Sequence, residues 1–157
     1  IVNGHGSNQA LMEIAARRIT LETRAICASL MYIELANEAF GELEAECGHA
    51  GDLETSLMLH LAGESVDMSK AVRDWSFQES EFIKWGMKPG ESSFSVAGGK
   101  VEFMDWWSRI SKTGILGDPT KANKERGKRI FDIYVDSLVK FTREFRRREI
   151  LPRRDYH

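Results

Sequence analysis

Cysteine is scarce in this sequence. Cys27 and Cys47 are the only two among 157 residues, too few for a disulfide framework and in keeping with a reducing, cytoplasmic setting. An excess of charge of one sign is also lacking. The net charge is −2, so the overall basic balance of a nucleic-acid binder is absent. No apolar run approaches the roughly 20 residues of a membrane-spanning helix, and no signal-peptide pattern is visible at the start. There is no initiator methionine. What remains is ordinary for a globular domain: 42% of residues are hydrophobic and 29% charged, in a length that can bury one core.

The first residues, Ile1-Val2, run into the glycine-flanked turn Asn3-Gly4-His5-Gly6. Two β-branched residues before such a turn read as the end of a buried strand. A buried parallel strand needs about five residues, so the expectation is a domain interrupted ahead of residue 1, with a short edge strand at a true mature N-terminus as the alternative. Asn8 or Ser7 can cap a helix with Leu11, Ile14, Ala15 and Ile19 on one face. Residues 24–33 read as a buried strand, with helix as the alternative, and 36–46 as an acidic helix or loop. Asp52 caps a helix to about Leu61 that carries Leu53, Leu57, Met58 and Leu61. An irregular insertion follows within 73–103, including a hairpin around Ala97-Gly98-Gly99. Residues 105–110 suit a short helix. Asp118-Pro119 opens a long last helix with an apolar stripe at Phe131, Tyr134, Val135, Leu138, Phe141 and Phe145. Strands alternating with helices predict an α/β fold, a mostly parallel sheet layered with helices. The whole of 1–157 is then expected to lie in one domain, incomplete without an N-terminal segment.

Two places can carry chemistry. His5 stands at the C-terminal end of a strand, where α/β sheets collect ligands. It is either a metal ligand or a turn histidine bonded to backbone. The second place is Gly48-His49-Ala50-Gly51-Asp52-Leu53-Glu54-Thr55-Ser56. Taken locally, Glu54 complements the helix dipole beside the Asp52 cap, and His49 is a turn residue. Taken together, two histidine turns and a carboxylate at a helix start are the parts of a hydrolase that uses a metal-activated water. His60 reads as a packing residue. The arginines at 143, 146–148, 153 and 154 read first as a solvated helix end, then as a subunit contact.

These residues carry a specific resemblance. Asn3-Gly4-His5-Gly6-Ser7-Asn8 resembles the Asn-Gly-His-Gly turn of the creatininase family. His49-Ala50-Gly51-Asp52-Leu53-Glu54-Thr55-Ser56 resembles its His-Ala-Gly-x-x-Glu-Thr-Ser motif. Gly114-Ile115-Leu116-Gly117-Asp118-Pro119, with Ala122 and Gly127, resembles the stretch before its last helix. The resemblance implies a two-metal site, zinc with manganese or iron as the second metal, in which His5 and Glu54 are ligands. His49 becomes the catalytic proton donor or a group supporting the ligands. The remaining ligands, an earlier Glu-x-His stretch and an Asp, lie outside this chain, so the resemblance makes 1–157 the C-terminal part of the domain and implies an N-terminal fragment or partner chain. A homo-oligomer, a hexamer in many relatives, is also implied.

Two departures argue against creatinine as substrate. Ser7 stands where creatininases place a ligating glutamate, and Ala45 where they place a tryptophan that closes over the ring. Ser7, Cys47, Trp106 and Trp107 are the candidate substrate contacts. Cys47 is alternatively a nucleophile beside His49 or a small buried thiol. The expected substrate is a small polar molecule with a cyclic amide, formamide or related C–N bond. A ring-opening C–C hydrolase acting on a keto-inositol, a mycofactocin-type peptidase and a non-catalytic assembly subunit are the alternatives.

Overall fold

The computed structural model describes residues 1–36, 48–83 and 105–154. Its first unit is strand, helix, strand. β1 (Val2–Asn3) pairs in parallel with β2 (Leu30–Met31), Val2 opposite Leu30 and Asn3 opposite Met31. Parallel strands need a crossover connection, and α1 (Gln9–Glu22) provides it. The ladder extends by one bond at each end, Leu30 N to Ile1 O and Tyr32 N to Asn3 O, both 3.1 Å. The strand expected over 24–33 is therefore much shorter than its apolar run. A ladder extends only as far as its partner, and β1 has two residues. Ile1 and Val2, expected to be buried, are exposed.

α1 departs from expectation in two ways. Asn8 precedes it but makes no capping bond with its side chain. Its backbone is already helical there, and the side-chain amide turns back to Asn3 Oδ1 at 3.5 Å. The predicted apolar face is also outward: Leu11 is 66% and Ile14 58% exposed, while Ala16 is the buried residue. At 100° per residue Leu11, Ile14 and Leu21 share one side of the helix, opposite Ala16. The far end of α1 is closed by Arg153, whose guanidinium donates to the carbonyls of Thr20, Leu21 and Thr23. At least this member of the arginine tail thus caps α1 rather than the end of α4.

The second unit is the pair α2 (Asp52–Ala62) and α4 (Lys124–Arg146), with the short α3 (Trp107–Ile110) between them in sequence. The pair packs closely because Gly127 lets it. A Cβ at that position would stand 1.8 Å from Ser56 O. Leu53 and Leu57 of α2 meet Ile130 and Tyr134 of α4, and Met31 and Ile33 bring the β2 end into the same core. Met58 and Leu61, expected on that face, point outward. His60 packs on Phe131, ring centroids 5.6 Å apart.

Polar groups pin the helix pair as well. Asp52 is not the cap of α2, because Gly51 occupies that position. Buried instead, its carboxylate accepts from Arg126 on α4 and from Ser56 Oγ. Ser56 Oγ in turn accepts from Asn123 N at 3.1 Å. Asp118-Pro119 opens only a 3-10 turn, Pro119–Lys121, and Asn123 caps the long helix through Arg126 N at 2.8 Å. Residues 36–46 lie, apart from Ala36 in a 3-10 turn, outside the described residues, as does the hairpin around 97–99. No helix among the described residues is long and apolar enough to cross a membrane.

Candidate active site

The opening turn is shaped by one side chain. Asn3 is buried at the end of β1, and its amide donates to His5 O at 2.9 Å while its Oδ1 accepts from His5 N at 3.1 Å. A buried amide that closes both bonds on one residue fixes the path of the turn. His5 is left exposed at its tip, with Ser7 exposed beyond it in the 3-10 turn Gly6–Asn8. Nothing in the sequence marks Asn3 out beyond its place in the Asn-Gly-His-Gly motif.

The second turn is held from three sides. Its backbone forms an antiparallel bridge with the Gly-x-x-Gly-Asp-Pro segment: His49 N to Leu116 O is 2.8 Å and Leu116 N to His49 O is 2.9 Å. Asp74 bridges the other side of that segment through Gly117. Gly48 is required by this proximity, since a Cβ there would lie 1.9 Å from Leu116 O. Ala50 takes up a positive φ of 50°, a conformation that costs a non-glycine residue energy. Its N–H donates to Glu54 Oε2 at 2.6 Å. Glu54 thus reaches back over the start of α2 in the manner of a capping box, and among the described residues Oε1 accepts no hydrogen bond. The third hold is Trp107, whose indole N–H donates to His49 Nε2 at 2.9 Å.

The two turns meet. The rings of His5 and His49 stand edge to face with centroids 5.9 Å apart. Glu54 is within electrostatic reach of His5. Burial pushes the Glu54 carboxyl above its ordinary pKa, opposed by the Ala50 N–H and by the charge of His5. Burial, with His5 second, holds the His49 imidazole below its ordinary value. So one exposed and one half-buried imidazole share a small region with a partly desolvated carboxylate. Among the described residues no group of three or more His, Cys, Asp or Glu side chains gathers into a metal-holding set.

Of the candidate substrate contacts, Trp107 lies against His49, ring centroids 4.2 Å apart. Trp106, its neighbour, is 73% exposed. Cys47 is outside the described residues.

Comparison with known proteins bears on this arrangement. The sequence profile of the creatininase family, described as creatinine amidohydrolase, matches residues 1–142. The chain belongs to the creatininase family. This creatininase-family chain is 30% identical over 138 residues to the mycofactocin precursor peptide peptidase of Mycobacterium ulcerans (strain Agy99), covering 88% of the chain and 45% of that protein. The same figures hold over 141 residues for the peptidase of that name from Mycobacterium tuberculosis (strain ATCC 25618 / H37Rv). The chain therefore spans less than half the length of the curated relatives it matches.

Solved structures agree on the fold. A Bacteroides fragilis NCTC 9343 protein, provisionally named a creatinine amidohydrolase, superposes with a TM-score of 0.67 at 21% identity, over 97% of this chain and 55% of its own. A manganese form of creatininase superposes at 0.61 and 21% identity, over 96% and 56%. The family's α/β fold, a parallel sheet flanked by helices, is the architecture of this chain, which covers part of it.

Proposed function

We propose that this chain carries part of the active site of a metal-dependent hydrolase, and that the site is completed by polypeptide outside it. The observation that supports this most is the meeting of His5, His49 and Glu54 from two separate turns. The donor chemistry suits a divalent cation: an exposed imidazole lies near a carboxylate with one oxygen uncommitted by hydrogen bonds among the described residues. His5 and Glu54 would hold the metal, with zinc and manganese suggested by the creatininase forms solved with them and iron by family resemblance. A bound metal would supply a water acidified toward neutral pH and a Lewis acid for a carbonyl.

This chain's own residues do the rest. Asn3 sets the angle of His5 through its two bonds to the turn. The Ala50 N–H orients the Glu54 carboxylate. His49 presents an N–H toward the leaving atom, and the Trp107 side chain covers one side of its ring. Ser7, Cys47 and Trp106 remain the candidate substrate contacts beyond this set.

Two donors do not complete a dinuclear site. A preceding segment or partner chain supplies the remaining ligands in this reading. The outward apolar side of α1, at Leu11, Ile14 and Leu21, supports such a partner, and a reducing cytoplasmic location accords with the few cysteines. Among substrates, the 30% identity to the two mycobacterial proteins favours a peptide C–N bond over a free cyclic amide or formamide. Chelation followed by zinc or manganese addition tests the reading on the full-length protein. Hydrolysis of short peptides should vanish on chelation and return with the metal. Peptide hydrolysis indifferent to chelator, or hydrolysis confined to small cyclic amides, would remove the metal or the peptide part respectively.

A further inference from the structure

We infer that Trp107 is a positioning residue for His49: its indole fixes the imidazole proton on Nδ1 and makes Nδ1 the nitrogen that faces substrate. This rests on the hydrolase reading and specifies which atom of His49 acts in it. Indole nitrogen can only donate. It lies 2.9 Å from His49 Nε2, so Nε2 must present a lone pair. A neutral imidazole has one donor and one acceptor nitrogen, and the remaining proton sits on Nδ1. Among the described residues Nδ1 has no protein hydrogen-bond partner, which leaves its N–H for a ligand.

The same segment holds both ends of this contact. Leu116 bonds the His49 backbone in both directions, and Trp107, nine residues earlier, bonds its side chain. Trp107 opens α3, which is anchored by buried Ile110 and followed by buried Ser111, whose hydroxyl donates to Ile115 O at 2.7 Å. The imidazole is thereby held in backbone position, in ring orientation and in tautomer. Two consequences separate the histidines. With its Nε2 occupied by the indole, His49 cannot ligate a cation through that atom, whereas no described protein group occupies either ring nitrogen of His5. And His49 acts on substrate as a neutral hydrogen-bond donor, a role in which no proton need leave the ring.

Imidazole 15N spectra of the full protein, labelled at histidine, test this. His49 is assigned by loss of its signals in His49→Gln. The wild type should show a protonated Nδ1 and an unprotonated Nε2 at a pH where the ring is neutral. Trp107→Phe keeps the ring contact and removes the N–H, so the Nε2 signal should shift toward the protonated position. Should Trp107→Phe fail to fold, the reciprocal reading applies: the Trp107 indole proton should lose its protection from solvent exchange in His49→Ala. A wild-type His49 bearing its proton on Nε2, or a Trp107→Phe spectrum unchanged from wild type, overturns the assignment. The tautomer is read without activity or metal, so failure of the hydrolase reading would show separately.

Discussion

The opening turn hangs on Asn3 and leaves His5 exposed, whereas the second is gripped by the Leu116 bridge, by Glu54 and by Trp107, with His49 half-buried. Their glycines differ in the same sense. A Cβ at Gly4 would meet nothing nearer than a Tyr32 ring carbon at 4.0 Å, while one at Gly48 would strike Leu116 O at 1.9 Å. Under the proposed function, this difference gives the turns unlike tasks. A group that swings onto a cation supplied together with further ligands can be loosely held. A group that must meet a reacting atom from one direction has to be fixed beforehand.

Substitution should expose that contrast most strongly at the glycines. Gly48→Ala should cost about 3 kcal/mol in urea unfolding, because backbone rather than a flexible side chain blocks the new methyl group. Gly4→Ala should fall within about 0.5 kcal/mol of wild type. Equal costs at the two sites would dissolve the comparison.

A somewhat smaller effect is expected where α2, the helix of Glu54, is tied to α4. Asp52→Ala strands the Arg126 guanidinium, whose side chain is 21% exposed. With that residual solvent contact the loss should be about 2 kcal/mol, below the range for a fully buried pair. Arg126→Met in the same chain should recover part of it, which a double-mutant cycle would read.

Asn3→Ala should cost about 1 kcal/mol, the worth of its hydrogen bonds to the turn. In the full-length protein it should also weaken metal retention about tenfold, as expected for the loss of a group that orients a ligand. Unchanged metal affinity would mean that the turn holds its shape without the amide.

The least effect concerns the wall behind the second turn. Asp74 accepts from the hydroxyl of Thr113 and from Ser76 N, and these bonds, Thr113 foremost, lower its pKa to about 2. The folded value lies below the ordinary 3.8. Its contribution to stability is thus complete above pH 4 and lost as pH falls through 2. Acid titration should show a stability decrement across that window in the wild type which is missing in Asp74→Asn.

How far the sequence carried follows from where the signals lay. The α2 bounds, α3 and the packing role of His60 were legible because apolar spacing and turn residues are local. The side of α1 that faces outward was not, since periodicity finds an apolar face without saying what covers it. The caps of α2 and α4 were misjudged for a related reason. An Asp before a helix reads as a cap, yet Asp52 is drawn inward by Arg126, 74 positions away, and Asn123 takes over capping from Asp118. The His5, His49 and Glu54 motifs stood out by resemblance. The bond from Trp107 to His49 crosses 58 positions, and no spacing rule could have paired them.

In the proposed site His5 and Glu54 converge on one cation. Crystals of the full-length protein loaded with zinc, measured at the zinc absorption edge, address it directly. An anomalous peak is expected about 2.0–2.2 Å from both a His5 nitrogen and a Glu54 oxygen. A zinc peak that touches neither side chain, or His5 and Glu54 remaining without a shared ion in a protein that hydrolyses its substrate, would contradict it.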